Sequence, residues 1–403
     1  MGVELGEIFN SAIQNSLFKN KSVLQVRYTP NSIPHRDEQI KSIAGILSST
    51  LRGERPSNLF IYGKTGTGKT LSVQYVMNQL IKKAGELGVD VRFEYINCKL
   101  KKVADTEYRI LAALINQLGG NVPATGLPTD KVWSKFIELV DQKKQLVVFI
   151  FDEVDEAVQK MGDRFLYSFT RLNQELTRSQ ISIIGISNDV MFLENIDPRV
   201  RSSLGEEEFV FPPYNALQLI DILNERCEQA FKDSVIIEGV IAKCAAYAAK
   251  EHGDARRALD LLRIAGELSE REGKTKVEEG YIDLANRKIE RDKILDIVER
   301  GPKQFQLVLY SIVQLTKENK ENSPRLYTGD VYNYYTNLCI QTKNDTLTQR
   351  RISDILAEID MLGLINAKII SNGRHGRTRE IKLSIPSNLL DKAEEILEDS
   401  IGL

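Results

Sequence analysis

The sequence predicts an α/β protein built on a parallel sheet, followed by an all-helical domain and a smaller domain of helices and a β-hairpin. Up to about residue 205, short apolar runs alternate with longer helical patterns. The prolines of FPPY end that alternation, helical periodicity alone continues to about residue 299, and GPK then breaks it. Because strand-helix-strand order is typical of parallel sheets covered by helices, we expect three domains, at 1–208, 209–300 and 301–403.

Composition is that of an ordinary globular protein, with 42% hydrophobic and 27% charged residues among 403. This length suffices for two or three hydrophobic cores. The four cysteines show no metal-binding spacing, and no apolar run reaches the roughly 18 residues of a membrane span. We therefore expect a reduced, cytoplasmic protein without a membrane partner. The net charge of −2 does not indicate a nucleic-acid partner, so any such surface must be a local basic patch.

Four apolar runs are the predicted strands of the first domain. Each is a short run rich in Ile, Val, Phe and Tyr, as expected for strands that are buried on both faces of a parallel sheet. The runs are NLFIYG (58–63), VRFEYINC (91–98), QLVVFIFDE (145–153) and ISIIGISND (181–189).

The segment GKTGTGKT follows the first of these strands and precedes a helical pattern. It satisfies GxxxxGK[ST], in which glycines let backbone N–H groups face phosphate oxygens at a helix N-terminus. A glycine-rich surface turn is the alternative, and the flanking strand and helix disfavour it. The predicted ATP/ADP-binding residues are Gly63, Thr65, Gly66, Thr67, Gly68, Lys69 and Thr70.

Asp152 and Glu153 end the third predicted strand. With the phosphate loop, they complete the set that phosphoryl transfer requires: Thr70 and Asp152 are expected to hold Mg²⁺, and Glu153 to orient and deprotonate the attacking water. Acidic residues after a strand are common in loops, so the prediction depends on the pairing with the phosphate loop.

With both motifs in place, the chain resembles the AAA+ ATPases. The resemblance implies that Asn188 senses the γ-phosphate and that Arg256, in GDARRALDLL, is a second sensor in a helical lid domain. The segment DPRVRSSLG is similar to the one that carries an arginine finger, for which Arg199 and Arg201 are alternatives. A finger reaches a neighbouring protomer, so slow ATP hydrolysis is expected without one.

Four segments together resemble the Orc1/Cdc6 replication initiators: IPHRDEQ, the ISND sensor, DPRVRSSLGEEEFVFPPY and HGDARRALD. The resemblance spans roughly residues 27–385. It implies that His35 and Arg36 lie against the adenine and that Tyr214 and Arg226 also contact the nucleotide.

In that family, a helical insertion between the second and third strands contacts DNA. The corresponding stretch here is residues 105–136, and it contains a small apolar tip at Leu127 and Pro128. Such a tip is able to wedge into a minor groove. An inter-helix loop without a ligand is an equally good interpretation.

Residues 346–364 predict an amphipathic helix, with Ile352, Ile355, Leu356, Ile359 and Leu362 on its buried stripe. Thr348, Gln349 and Arg350 lie on the opposite face. The hairpin that follows turns at NGRHGRTR, which supplies Arg374, Arg377 and Arg379. Helix and basic hairpin together predict a winged helix that binds duplex DNA. Residues 302–386 carry 12 Lys or Arg against 8 Asp or Glu, although a solubilising hairpin is the alternative.

The resemblance implies an ATP-dependent initiator that binds duplex DNA at replication origins, with ATP and ADP as a switch. Expected partners are a replicative helicase of the MCM type and further Orc1/Cdc6 protomers on DNA, in nucleoid-associated cytoplasm. Two alternatives remain open: a nucleotide-gated winged-helix transcriptional regulator, and a motor ATPase such as a clamp loader.

Overall fold

A computed structural model describes residues 16–30, 32–99, 106–123, 125–318, 325–371 and 377–403. The chain forms two compact units, Met1–Ile282 and Asp283–Leu403. The predicted borders at 208/209 and 300/301 are not tested by this division and stay predictions.

Unit 1 is built on five parallel strands. Their bounds are β1 Asn58–Tyr62, β2 Val91–Asn97, β3 Leu146–Asp152, β4 Gln180–Ser187 and β5 Glu206–Val210. The order across the sheet is β2-β3-β4-β1-β5. The carboxyl ends of β3, β4 and β1 therefore lie side by side, where α/β proteins bind ligands. The α/β prediction is confirmed, whereas the acidic edge strand β5 was not predicted.

The central strands are buried on both faces because successive side chains alternate between them. In β1, Leu59 and Ile61 join one buried cluster, while Phe60 and Tyr62 join the other. Gly185 in β4 gives the Phe60 ring its space, since a Cβ there would lie 2.4 Å from Phe60 Cε1.

Helices cover both faces of this sheet and continue beyond it as the predicted helical segment. The first set is Asp37–Leu47, Lys69–Leu87, Glu107–Gln117, Thr129–Val140, Val154–Met161, Arg164–Arg171 and Pro198–Leu204. The second is Ala216–Ala230, Val240–Lys250 and Ala255–Arg271. A capping box starts the second set directly after FPPY: Gln218 N donates to Asn215 Oδ1 (2.9 Å), and Asn215 N donates to Gln218 Oε1 (3.1 Å).

Unit 2 begins inside the helix Glu279–Arg300 and combines helices with a small antiparallel sheet. Its other helices are Lys303–Glu318, Thr328–Gln341, Gln349–Met361 and Ser387–Ile401, and its strands are β6 Leu326–Tyr327, β7 Ile365–Ser371 and β8 Arg377–Leu383. The strand order is β6-β8-β7. Helix Gln349–Met361 followed by the β7–β8 hairpin is the predicted winged-helix arrangement.

The buried stripe of helix Gln349–Met361 is as predicted, with one exception. Ile352, Ile355, Leu356 and Ile359 are buried. Leu362 was wrongly placed on this stripe: it is 39% exposed because the helix ends at Met361, and Leu364 is buried in its stead. In the described part of the chain, no helix is long and apolar enough to cross a membrane.

Candidate nucleotide site and nucleic-acid interface

The phosphate loop connects β1 to the helix Lys69–Leu87 and contains positions that only glycine can occupy. Gly66 and Gly68 have φ of 74° and 89°, in the left-handed region. A Cβ at Gly66 would lie 1.7 Å from Asp254 Oδ1, and one at Gly68 would lie 2.9 Å from the Tyr214 hydroxyl. The loop is therefore packed from outside by Tyr214, just before the helix Ala216–Ala230, and by Asp254, the N-cap of the helix Ala255–Arg271.

Lys69 is buried at the end of this loop. Its Nζ donates to the carbonyls of Gly63 (2.6 Å) and Lys64 (2.9 Å) and to Asn188 Oδ1 (3.0 Å). Burial and, to a lesser extent, the charge of Arg256 lower the pKa of Lys69 to about 8, against the opposing effect of Asp152. A phosphate group would replace these neutral acceptors with a charged one.

The structure brings the two predicted metal ligands together. Thr70 Oγ1 donates to Asp152 Oδ2 at 2.9 Å, at the carboxyl end of β3. Tyr95, which the sequence analysis missed, donates its hydroxyl to the same oxygen at 2.6 Å. Its position near the end of β2, the strand paired with β3, was the available signal. No group of three or more His, Cys, Asp or Glu side chains with metal-binding geometry occurs among the described residues.

Hydroxyl and carboxylate oxygens are the ligands that suit Mg²⁺, which commonly takes one or two protein ligands together with substrate phosphates. The pair Thr70 and Asp152 fits that pattern. Glu153 follows in a left-handed conformation, φ 55°, which is uncommon for a residue other than glycine. Its Oε2 lies 3.3 Å from Lys99 Nζ and otherwise accepts no hydrogen bond from the described residues.

A cavity extends from this loop towards the helices that follow β5 and collects most of the predicted nucleotide-binding side chains. Its lining includes Thr65, Gly66, Thr67, Gly68, Lys69, Thr70, Asp152, Glu153, Asn188, Tyr214, Arg226 and Arg256. Tyr28, Ile33, Pro34, Ile222 and Leu259 also line it. The cavity thus has a polar phosphate end and a more apolar end, lined by aromatic and aliphatic side chains and Arg226, whose chemistry suits a nucleobase.

Arg226 lies at the apolar end and is only 7% exposed. Its guanidinium carbon is 4.7 Å from the ring centroid of Tyr28, and its Nη1 is buried without a hydrogen-bond partner among the described residues. Burial lowers the pKa of Arg226. Tyr28 was not among the predicted nucleotide-site residues.

His35 and Arg36 are arranged differently from the expectation that both lie against the adenine. His35 Nε2 lies 2.9 Å from Asp221 Oδ2, and Arg36 is 2% exposed and packed behind the phosphate loop. Within the described chain, neither is among the residues that line the cavity, whereas Ile33 and Pro34 just before them are. A direct base contact by either side chain stays a prediction.

The two candidate finger arginines lie on the helix Pro198–Leu204, outside the cavity lining. Arg199 donates to both carboxylate oxygens of Asp197, at 3.1 and 2.8 Å, and its side chain is 86% exposed. Arg201 is 46% exposed, and its Nη2 lies 3.6 Å from Glu208 Oε1. Both are accessible to another molecule.

The predicted insertion is a hairpin of the helices Glu107–Gln117 and Thr129–Val140. Ile110, Leu111, Leu114 and Ile115 bury one face of it. Leu127 and Pro128, which we call the insertion tip, are exposed immediately before the second helix. Lys135 Nζ donates to the Asn121 carbonyl at 2.7 Å, which ties the loop to that helix.

In unit 2, a groove separates the helix Gln349–Met361 from the hairpin. Its lining residues are Thr328, Gly329, Gln349, Arg350, Ser353, Ile369, Thr378 and Arg379. Arg350 is exposed, while Arg379 donates to the Ser353 carbonyl at 3.0 Å and so holds β8 against this helix. Thr348 caps the helix by accepting from Arg351 N at 3.4 Å.

Two predicted DNA-binding side chains cannot be placed in this groove. Arg374 lies outside the described residues, as does the side chain of Arg377, whose backbone begins β8 opposite Ser371. The DNA-binding role of both arginines stays a prediction.

Three family models match the chain in order. They are described as an AAA domain (residues 52–189), a Cdc6 AAA+ ATPase-type lid domain (220–287) and a CDC6 C-terminal winged helix domain (296–393). Both the base-and-lid prediction and the winged-helix prediction are thereby confirmed as fold assignments.

Two proteins that are similar along nearly the whole chain share one description. The chain is 50% identical over 390 residues to the ORC1-type DNA replication protein of Pyrococcus furiosus, covering 96% of this chain and 91% of that protein. It is 49% identical over 384 residues to ORC1-type DNA replication protein 1 of Methanosarcina mazei, covering 95% and 91%.

Among solved structures, the Aeropyrum pernix Orc1 protein in complex with DNA matches with a TM-score of 0.84 and 40% identity, covering 95% of this chain and 97% of that one. Sequence, domain order and fold therefore agree. The chain belongs to the family of ORC1-type (Orc1/Cdc6) DNA replication proteins, and it is a replication initiator with an AAA+ ATPase domain.

Proposed function

We propose that this initiator binds duplex DNA at replication origins through its winged helix, while unit 1 holds ATP or ADP as a switch. The observation that carries the DNA part is the groove with Arg350 and Arg379 beside the helix Gln349–Met361. The similar Aeropyrum pernix protein was solved in complex with DNA, which supports this assignment. None of the similar proteins described above supports the transcriptional regulator that the sequence left open.

In the proposed nucleotide site, the N–H groups of the loop from Gly63 to Thr70 bind the phosphates, and Lys69 and Asn188 exchange their mutual contact for phosphate oxygens. Thr70 and Asp152 hold Mg²⁺, which would neutralise phosphate charge when bound. Glu153 orients the water, and its 3.3 Å contact with Lys99 holds its carboxyl group beside the cavity. Arg256 approaches the phosphates from the lid helix Ala255–Arg271.

At the base end, Arg226 and Tyr214 are proposed to contact the nucleotide. The buried Nη1 of Arg226 lacks a partner among the described residues, and an unsatisfied charged group at the wall of a cavity favours a ligand that accepts a hydrogen bond. If Arg226 moves away from the Tyr28 ring, the base can stack either on that ring or on the Arg226 guanidinium.

The remaining partners follow from the family. We propose that the DNA-bound, ATP-bound protein helps to recruit or load a replicative helicase of the MCM type. We further propose that neighbouring protomers supply Arg199 or Arg201 to the nucleotide, so that an isolated protomer hydrolyses ATP slowly.

The groove is tested with two adjacent arginines of one helix. Both arginines are exposed. Arg350 lines the groove, whereas Arg351 is not among the lining residues described and lies 3.7 Å from Asp354. We expect Arg350→Ala to weaken binding of origin duplex DNA roughly tenfold, and to lower the slope of log affinity against log salt by about 0.9, because one phosphate contact is lost. Arg351→Ala should leave both quantities near wild type.

Fluorescence anisotropy at two salt concentrations measures these quantities. Lys69→Ala serves as the nucleotide-site control and should retain DNA binding, since it alters neither the groove nor the insertion tip. Equal losses in Arg350→Ala and Arg351→Ala would mean that the groove is not the DNA-binding surface.

A further inference from the structure

Arg36 is a buried charged side chain behind the phosphate loop. Its position indicates a role other than direct contact with the base. It precedes the helix Asp37–Leu47 and is 2% exposed. In the described part of the chain, no carboxylate pairs with it. A buried guanidinium is costly unless its N–H groups are satisfied, so its hydrogen bonds identify what it holds in place.

Those hydrogen bonds go to backbone carbonyls of separate segments. Nε donates to the Thr67 carbonyl in the phosphate loop (2.9 Å), and Nη2 donates to the Pro212 carbonyl in FPPY (2.6 Å). Nη1 donates to the carbonyl of His35 at 3.2 Å. The guanidinium carbon lies 3.8 Å from the ring centroid of Tyr214. One side chain therefore joins the phosphate loop to the segment that follows β5.

The bond to Thr67 has a direct consequence for the loop. In a trans peptide, the carbonyl and the following N–H point in opposite directions. With the Thr67 carbonyl fixed on Arg36, the N–H of Gly68 must face away from Arg36. Phosphate binding by such loops depends on the direction of their N–H groups, so Arg36 presets one of them before nucleotide arrives.

The segment on the other side of Arg36 contacts the start of the lid helix. A Cβ on Gly253 would lie 2.3 Å from the Tyr214 carbonyl oxygen, so these backbones touch. Two residues later, Ala255 N donates to the Gly66 carbonyl at 3.3 Å. Phosphate loop, FPPY segment and lid thus form a closed ring of contacts, and Arg36 is its buried link.

We propose that Arg36 is a positioning residue: it fixes the orientation of the phosphate loop and couples that loop to the lid, without contacting the base. The proposal rests on nucleotide binding in the cavity described above. Lysine cannot replace it, because an ammonium group lacks the planar fork that reaches two carbonyls at once.

The test separates phosphate recognition from base recognition. Affinities of full-length wild type, Arg36→Lys, Arg36→Gln and Arg226→Gln are measured for ADP, GDP and inorganic tripolyphosphate. Loss of a buried charged hydrogen bond predicts a decrease of roughly tenfold or more. For the Arg36 variants, the same factor should apply to ADP and to tripolyphosphate, with an unchanged ratio of ADP to GDP affinity. Arg226→Gln should lower ADP affinity, change that ratio and leave tripolyphosphate binding intact.

Hydrogen exchange without nucleotide gives a second measurement. The amides of residues 66–70 and 253–255 should exchange faster in Arg36→Lys, while those of β3 stay protected; Arg52→Gln, an exposed arginine paired with Glu54, should change neither. A larger loss of affinity for ADP than for tripolyphosphate would identify Arg36 as a base-contacting residue. Unchanged affinity and exchange, or loss of cooperative melting in both Arg36 variants, would also overturn the proposal. Failure of wild type to bind ADP would instead refute nucleotide binding itself.

Discussion

At the residue scale, the charge state of Lys69 makes nucleotide binding depend on pH. Its pKa of about 8 without nucleotide should rise when phosphates add negative charge beside it, so binding takes up a proton. ADP affinity should be at its plateau below about pH 7 and should fall by up to about tenfold per pH unit above about pH 8. Calorimetry of ADP binding in two buffers of different ionisation enthalpy measures both the affinity and the proton uptake.

The same shift affects folding with the opposite trend. Because the pKa is lower in the folded protein than the ordinary 10.5, the unfolded chain binds more protons between those values, and stability rises with pH there.

The control for the pH dependence of binding is Lys69→Arg, which stays charged. It should bind ADP more weakly than wild type, and its ADP affinity should not fall between about pH 8 and pH 9. Lys64→Ala, which removes an exposed loop lysine, should still show the decrease in ADP affinity above about pH 8. A decrease that persists in Lys69→Arg would mean that a group other than Lys69 causes it.

At the element scale, the helical insertion is a rigid support for an exposed apolar tip. The packed helices and the Lys135–Asn121 hydrogen bond fix the loop, and Leu127 is 42% exposed. If the insertion tip enters a minor groove, Leu127→Asp should weaken DNA binding about tenfold, because it removes the wedge and places a carboxylate near phosphates. Leu87→Asp, at an exposed helix end elsewhere in unit 1, is the matched control.

Trp133 reports whether the insertion remains folded in these variants. It is the only tryptophan of the chain, and its Nε1 donates to Glu107 Oε1 at 2.8 Å across the hairpin. Its emission in Leu127→Asp should match wild type. Unchanged emission together with unchanged DNA affinity would identify residues 119–128 as a connecting loop only.

Predictability from sequence also differs between elements. The strands β1, β3 and β4 are continuous apolar runs, so their burial on both faces could be predicted from composition. The same prediction was wrong for β2, which lies at one edge of the sheet, carries Arg92 and Glu94 and is only partly buried. β5 was not predicted, because Glu206, Glu207 and Glu208 occupy an edge that needs only one partner strand. In the site, the phosphate loop and Asp152 have local signatures. Tyr95 and Tyr28 do not, since their roles arise from strand pairing and from chain segments that meet only in the fold.

At the scale of the whole molecule, hydrolysis should require two protomers. Both candidate finger arginines are accessible and neither lines the cavity of its own chain among the described residues. We expect the specific ATPase rate to rise with protein concentration on origin DNA. A finger variant, Arg199→Ala or Arg201→Ala, should bind ATP normally yet lose hydrolysis by at least about tenfold.

Mixing variants distinguishes action between protomers from action within one. Lys69→Ala lacks nucleotide binding but retains both arginines, whereas the finger variant retains its phosphate loop. If the arginine acts on a neighbour, the mixture hydrolyses ATP faster than the sum of its components, because the first variant supplies the arginine and the second the bound ATP. Arg171→Ala, another exposed arginine, should hydrolyse normally alone. Whichever of Arg199→Ala and Arg201→Ala is rescued identifies the finger, and a mixture no faster than its parts would place the arginine's action within a single chain.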